Sequence, residues 1–197
     1  MELLEIGAIV RLQVQRTSLK VGEKPNRVYD TSPLLSVQQI RISPYGAIAL
    51  RPDGETALDV HHIDHPKSQN AGVNSISIGF TPHYARMREH YGDHLFDGCA
   101  GENILIETSE PFALDDLEEG VLIRGGDGEV WLKVNRIARP CLEFSRYAMR
   151  LPLAERESAE IKGALQFLDG GTRGFYTTPQ AEASLSLGDR VYLPVRK

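Results

Sequence analysis

The chain has 197 residues, and 22 Lys and Arg against 27 Asp and Glu leave a formal charge of −5. That acidic surplus excludes sequence-independent nucleic-acid binders, which need cations to neutralise phosphates. Leu, Ile, Val and Phe make up 53 residues, more than the roughly one-fifth below which a charged chain stays unfolded, so a packed core is expected. The length fits a single domain over residues 1–197.

The start, Met1-Glu2-Leu3-Leu4-Glu5, is acidic where a secretory signal is basic. No stretch approaches the roughly 18 uninterrupted apolar residues of a membrane-spanning helix. Two cysteines, Cys99 and Cys141, are too few to staple a secreted scaffold. A cytoplasmic protein with no membrane partner is the expectation.

Ile6, Ala8, Val10, Leu12 and Val14 alternate with Gly7, Ile9, Arg11, Gln13 and Gln15, which predicts an opening strand with the first set buried. A further strand is expected over 37–42. Two more, 47–50 and 56–60, flank the turn Arg51-Pro52-Asp53-Gly54. Residues 73–78 read as strand. Thr81 as cap, Pro82 at the first helical position and Gly92 as stop bracket a short helix carrying Tyr84, Met87, Arg88 and Tyr91.

The second half predicts strands over 103–107, 121–124, 129–137 and 190–195, with Gly125-Gly126-Asp127-Gly128 as a hairpin turn. Ile161, Leu165 and Leu168, followed by Gly170-Gly171, predict a helix over 153–168. Many short strands without regular strand and helix alternation favour a closed or nearly closed antiparallel barrel with a few helices.

Arg136-Ile137-Ala138-Arg139-Pro140-Cys141 follows Val130, Leu132 and Val134, so Cys141 is expected at a strand end. Lys133, Arg136, Arg139, Arg146 and Arg150 face one acid, Glu143, in this stretch of an acidic chain. Positive neighbours favour a thiolate, which suits a nucleophile, a persulfide carrier or a soft-metal ligand. A small buried cysteine beside a solvated strand edge accounts for the same residues equally well.

Gly98-Cys99-Ala100-Gly101-Glu102-Asn103 has two glycines that permit converging N–H groups, a concavity for an anion. Asn103 adds a directional donor and acceptor. An ordinary tight loop is the plainer alternative, and Cys99, without cations nearby, reads as structural. All six histidines fall between His61 and His94. Their spacing matches no zinc pattern, so a polar loop and helix surface is expected. The P-loop, the dinucleotide glycine fingerprint and the Gly-x-Ser-x-Gly elbow are absent.

Three pieces in order resemble the MOSC family, named after the C-terminal part of molybdenum cofactor sulfurases. They are Gly101-Glu102-Asn103 with its apolar strand, Arg139-Pro140-Cys141, and Gly174-Phe175-Tyr176 followed by Leu187-Gly188-Asp189-Arg190-Val191. The resemblance implies a mainly β chain with a few helices, built as a MOSC-type antiparallel β-barrel. It implies binding of the molybdenum cofactor (molybdopterin) and gives Cys141 the family's cysteine role, as persulfide carrier or as metal ligand. Gly101, Glu102 and Asn103 take the family's loop, with Asn103 as the polar contact, and Arg139 is the adjacent cation. Arg136, Arg146 and Arg173 join the cofactor-binding set on charge and proximity alone.

Under this resemblance the chain accepts sulfur from a pyridoxal-phosphate-dependent cysteine desulfurase and delivers it to a metal-sulfur centre. Pyridoxal phosphate is expected only on that partner, since no lysine here sits in a recognisable Schiff-base context. The alternatives are a molybdenum-dependent reductase of N-hydroxylated small molecules served by a separate reductase, and a non-enzymatic scaffold barrel. Two departures from the family are notable: Cys99 and Ala100 stand where many relatives have a large residue, and with the sequence ending soon after its last strand no attached electron-transfer domain is expected.

Overall fold

The computed structural model describes residues 2–126, 128–152 and 158–195. Of the described residues, 39% are strand and 16% helix. Alternating residues make the first strand, β1 (Leu3–Gln15), but its register slips between Glu5 and Gly7 and again between Ile9 and Arg11. Each slip bends a strand and resets which side chains point inward. Ile9 is therefore buried, whereas Val10, expected inside, is 40% exposed.

A small hairpin of β2 (Lys20–Val21) and β3 (Val28–Tyr29) follows. The strand expected over 37–42 divides at Gln38 into β4 (Leu34–Val37) and β5 (Gln39–Ser43), which join different sheets. β6 (Gly46–Leu50) and β7 (Thr56–Leu58) flank the expected turn, closed by the Gly54 N–H donating to the Arg51 carbonyl at 2.9 Å.

The next strand, β8 (Ile76–Phe80), is buried throughout and runs directly into α1 (Thr81–Tyr91). Phe80 is the cap residue, one position before the expected Thr81. The Thr81 hydroxyl instead accepts the Thr108 N–H at 3.4 Å, because the strand continues straight into the helix and leaves no turn for a side-chain cap.

Then come β9 (Ile104–Thr108), β10 (Val121–Gly125) and β11 (Gly128–Ile137). Helix α2 (Leu142–Met149) was not foreseen; it ends on Arg150 in a left-handed conformation, without the glycine that marks such stops. Helix α3 (Ala159–Phe167) is capped by the Ser158 hydroxyl, which accepts the Ile161 N–H at 3.2 Å. It occupies the later part of the helix expected over 153–168; residues 153–157 lie outside the described residues. The chain closes with β12 (Phe175–Pro179), β13 (Ala183–Ser186) and β14 (Arg190–Pro194).

Seven strands in the order β14, β10, β11, β12, β8, β9, β1 close on themselves when β1 pairs back to β14. Closure leaves no open edge among those seven. β4 extends β1, and β13, β5, β6 and β7 form a second sheet whose Ile40, Ile42, Ala47, Ala49 and Leu185 share the barrel core. Among the described residues the expectation of antiparallel pairing holds at every ladder but one: β8 and β9 run parallel. A parallel pair needs a crossover, and α1 with residues 92–103 supplies it.

That crossover places a second apolar cluster outside the barrel. Tyr84, Met87, Leu95, Cys99, Ala100, Leu105, Phe144, Ala148 and Leu168 bring the helices and the 95–100 loop together, and Cys141 packs at its edge. The candidate site lies at this seam.

His83 of α1 is buried, with its ring 5.9 Å from that of Phe80 and 6.3 Å from that of Phe175. Burial first, then the nearby Arg86 charge, lowers its pKa to about 4 from the usual 6.5. The fold thus favours the neutral ring, and the unfolded chain binds the extra proton between those two values. Stability from this residue is complete above pH 6.5 and is lost as pH falls through about 4, roughly 3 kcal/mol at most. Urea midpoints at pH 7 and pH 4.5 are expected to differ less in His83→Leu than in the wild type. An equal acid slope in both proteins refutes the assignment.

Candidate functional site

Cys141 caps α2 rather than ending a strand: β11 stops at Ile137, and Cys141 stands in extended conformation at the helix start. Its carbonyl accepts the Ser145 N–H at 2.9 Å, so the positive end of the helix dipole points toward the thiol's own residue. The side chain is partly exposed and lines a cavity of about 120 Å³ with Gln15, Ser18, Leu19, Lys20, Tyr29, His61, Gln69, Ala100, Arg139, Arg173 and Tyr176.

Arg173 stands beside the sulfur. Its Nη1 lies 4.0 Å from Cys141 Sγ. Nη2 donates to the Ala100 carbonyl at 2.8 Å, and the guanidinium carbon sits 4.2 Å from the centre of the Phe144 ring. A planar cation stacked on an aromatic face and tied to a carbonyl is pre-organised for an anion. Arg139 and Lys20 complete a three-cation lining.

The remaining expected residues divide. Arg136 is exposed, stacks over the Tyr176 ring at 5.5 Å, and lines a neighbouring depression of about 590 Å³ with Leu114, Ile137, Arg139 and Tyr176. Arg139 and Tyr176 border both spaces. Arg146 is buried and faces a different cavity, of about 410 Å³, beside Arg27, His94 and Arg150. The helical repeat explains the separation: five residues beyond Cys141, Arg146 projects from another face of α2.

The Gly98 to Asn103 loop is built differently from the anion-holding concavity expected. Four of its N–H groups are spent inside the protein: Cys99 on Phe96 O at 3.0 Å, Ala100 on the Tyr84 hydroxyl at 3.0 Å, Gly101 on Gly98 O at 2.9 Å and Asn103 on the Ser77 hydroxyl at 3.1 Å. Its carbonyls receive glutamine amides instead. Gln13 Nε2 donates to Gly98 O at 2.7 Å and to Glu102 O at 2.8 Å, and Gln15 Nε2 donates to Gly101 O at 2.7 Å. Gly101, at φ +95°, brings its backbone so close to Gln15 that a Cβ would lie 2.7 Å from Nε2.

Glu102 is buried beneath this loop and accepts the Tyr84 hydroxyl at 2.7 Å; burial raises its pKa above the usual carboxylate value. Asn103 is also buried, and its amide is fully committed. Oδ1 accepts from Ser77 N at 2.9 Å and from the Ser77 hydroxyl at 3.1 Å. Nδ2 donates to Asp59 Oδ2 at 2.9 Å and to Gln13 O at 3.3 Å. The expected ligand contact of Asn103 is thus replaced by a clasp between β1, β8 and β9. Cys99 is buried, and burial pushes its thiol pKa up, consistent with a structural residue.

Sequence reasoning passed over Lys20, Tyr29 and His61. Lys20 and Tyr29 come from the β2–β3 hairpin, which folds back across the molecule; the Tyr29 hydroxyl donates to Cys99 O at 2.9 Å. His61 was grouped with the polar histidines. The signal available was Asp59, a lone carboxylate just after an apolar strand and two residues before His61. Among the described residues, no three His, Cys, Asp or Glu side chains gather into a metal-holding group, and no helix is long and apolar enough to cross a membrane.

The closed barrel with its flanking helices is a MOSC-like fold. Its structure resembles that of the YUAD protein from Bacillus subtilis, with TM-score 0.58 and 12% identity over 97% of this chain and 96% of that one. YiiM from Escherichia coli, a MOSC-domain protein, is similar at TM-score 0.51 and 13% identity, covering 83% of this chain and 66% of that one. At these identities the likeness concerns the fold. No protein-family model and no curated protein matches the chain.

Proposed function

We propose that this chain carries sulfur on Cys141 as a persulfide and delivers it to a metal-sulfur centre of the molybdenum-cofactor type. The observation that supports this most is the partly exposed thiol in a small cavity with Arg173 4.0 Å from the sulfur. A persulfide's outer sulfur is readily anionic, and a stacked guanidinium is a fitting partner for it.

The space of about 120 Å³ suits a sulfur atom or a small anion; whole organic ligands occupy roughly 300 Å³ or more. A ligand as large as the molybdenum cofactor would need both spaces that Arg139 and Tyr176 border. There Arg136 and Arg139 suit its phosphate, and Cys141 with Arg173 suits its metal-dithiolene end. When bound, that group supplies a soft metal-sulfur acceptor. The protein's part is to hold the sulfur at the cavity mouth and to neutralise charge around it.

The test is incubation of the full chain with a pyridoxal-phosphate-dependent cysteine desulfurase and ³⁵S-cysteine. Label is expected on Cys141, released by dithiothreitol and absent from Cys141→Ser. No label on Cys141 while the desulfurase turns over rejects sulfur carriage. Stoichiometric molybdenum in protein from a cofactor-producing host, lost in Cys141→Ser, would favour instead a molybdenum-dependent reductase of N-hydroxylated small molecules fed by a separate reductase.

A further inference from the structure

Asp59 has no solvent exposure. Its two oxygens accept four N–H groups: Oδ2 takes Gln15 N at 2.7 Å and Asn103 Nδ2 at 2.9 Å, and Oδ1 takes His61 N at 2.8 Å and His61 Nδ1 at 2.9 Å. A carboxylate can only accept, so the nitrogen facing it carries the ring hydrogen. The other ring nitrogen, Nε2, has no hydrogen-bond partner among the described residues, and His61 lines the Cys141 cavity.

Cys141 and His61 line the same small cavity, of about 120 Å³, which has room for water between its walls. The other titratable and charged groups on that lining are Lys20, Tyr29, Arg139 and Arg173 together with Tyr176. Asp59 touches His61 from outside the lining, so among the described lining residues His61 pairs a bare ring nitrogen with a buried carboxylate behind it. This is the arrangement of an oriented general base.

We propose that His61, held by Asp59, is the general base that takes the Cys141 proton, directly or through one water. In the sulfur-carrying reaction, on whose reading this step rests, the Cys141 thiol proton passes to His61 Nε2. The thiolate attacks the outer sulfur of a persulfide donor, a carbon-sulfur-sulfur hydride. The donor's S–S bond breaks, and its inner sulfur leaves as a thiolate that recovers the proton from His61. One thiol and one persulfide enter and one of each leaves, with no net oxidation. Arg173 stays charged throughout and faces the transferred sulfur.

The test uses iodoacetamide on the full chain at pH 7, with adducts mapped by mass spectrometry and buried Cys99 as the internal reference. Cys141 alkylation is expected to slow by about tenfold or more in His61→Ala, below the usual range for general-base loss because a thiol is intrinsically reactive. Added imidazole is expected to restore much of the rate by entering the space the ring vacates. His61→Gln, scored the same way, replaces His61→Ala if the latter lacks the wild-type circular dichroism spectrum. In the wild type, ¹⁵N shifts are expected to show hydrogen on Nδ1 and a bare Nε2. A wild-type rate in the variants, slowing that imidazole leaves untouched, or hydrogen on Nε2 overturns the proposal. Iodoacetamide needs no sulfur donor, so a failure of radiolabelling alongside slowed, imidazole-rescued alkylation rejects sulfur carriage and retains the base.

Discussion

Asn103→Ala is expected to cost about 4 kcal/mol of folding stability, since four hydrogen bonds vanish and a buried carboxylate loses a donor. The bonds are those to Ser77 N, the Ser77 hydroxyl, Gln13 O and Asp59 Oδ2. For a domain with about 5 to 15 kcal/mol in total this is a large share, and the melting temperature should fall by roughly 10 °C. Asn103→Asp separates the hydrogen-bond account from one of shape. The substitution is isosteric, but it sets a second carboxylate against Asp59, where it cannot donate. Denaturant titration should therefore find Asn103→Asp at least as damaging as Asn103→Ala. A near-wild-type midpoint for the aspartate would show that packing, not donor chemistry, explains the residue.

Gly174→Ala is the second large effect, expected at about 3 kcal/mol or more, because two penalties coincide there. Its φ is +87°, and a Cβ at that position would run into the Ile78 carbonyl oxygen and lie 3.3 Å from Glu102 Cγ. Gly174 also connects the site to the barrel: its carbonyl accepts the Ala138 N–H at 2.9 Å, and Arg173 is its immediate neighbour. Moving this backbone shifts the guanidinium relative to Cys141. Thermal melts should show the destabilisation, and Cys141 alkylation in the same variant should change if Arg173 is displaced. Wild-type melting would mean that the strand pair absorbs the methyl group without strain.

Both substitutions bear on residues of the motifs that carry the resemblance, of which Asn103 was expected to contact ligand. Asn103 is buried with its amide satisfied by protein groups, Glu102 is buried with Oε2 accepting the Tyr84 hydroxyl, and Gly174 provides room for Ile78 and Glu102. The side chains that line the Cys141 cavity include the motif residues Arg139, Cys141 and Tyr176, their neighbour Arg173, and the unforeseen Lys20, Tyr29 and His61.

The order of side chains along the chain determined the strand-rich class, the hairpin turns, the stop at Gly92 and the presence of a thiol in a local run of cations. These are short-range properties: alternation, turn chemistry and charge are all written within a few residues. The bulges in β1 escaped that reading, because a one-residue slip is set by which partners a strand meets at each end. Pairing of β8 with β9, the hairpin that brings Tyr29 to Cys99, and the Asp59 link between Asn103 and His61 join residues far apart in sequence. Only tertiary structure decided them, because burial in a shared low-dielectric core makes those polar groups satisfy one another rather than water. For the same reason Arg146 and Arg173, equal on charge alone, came to face different cavities.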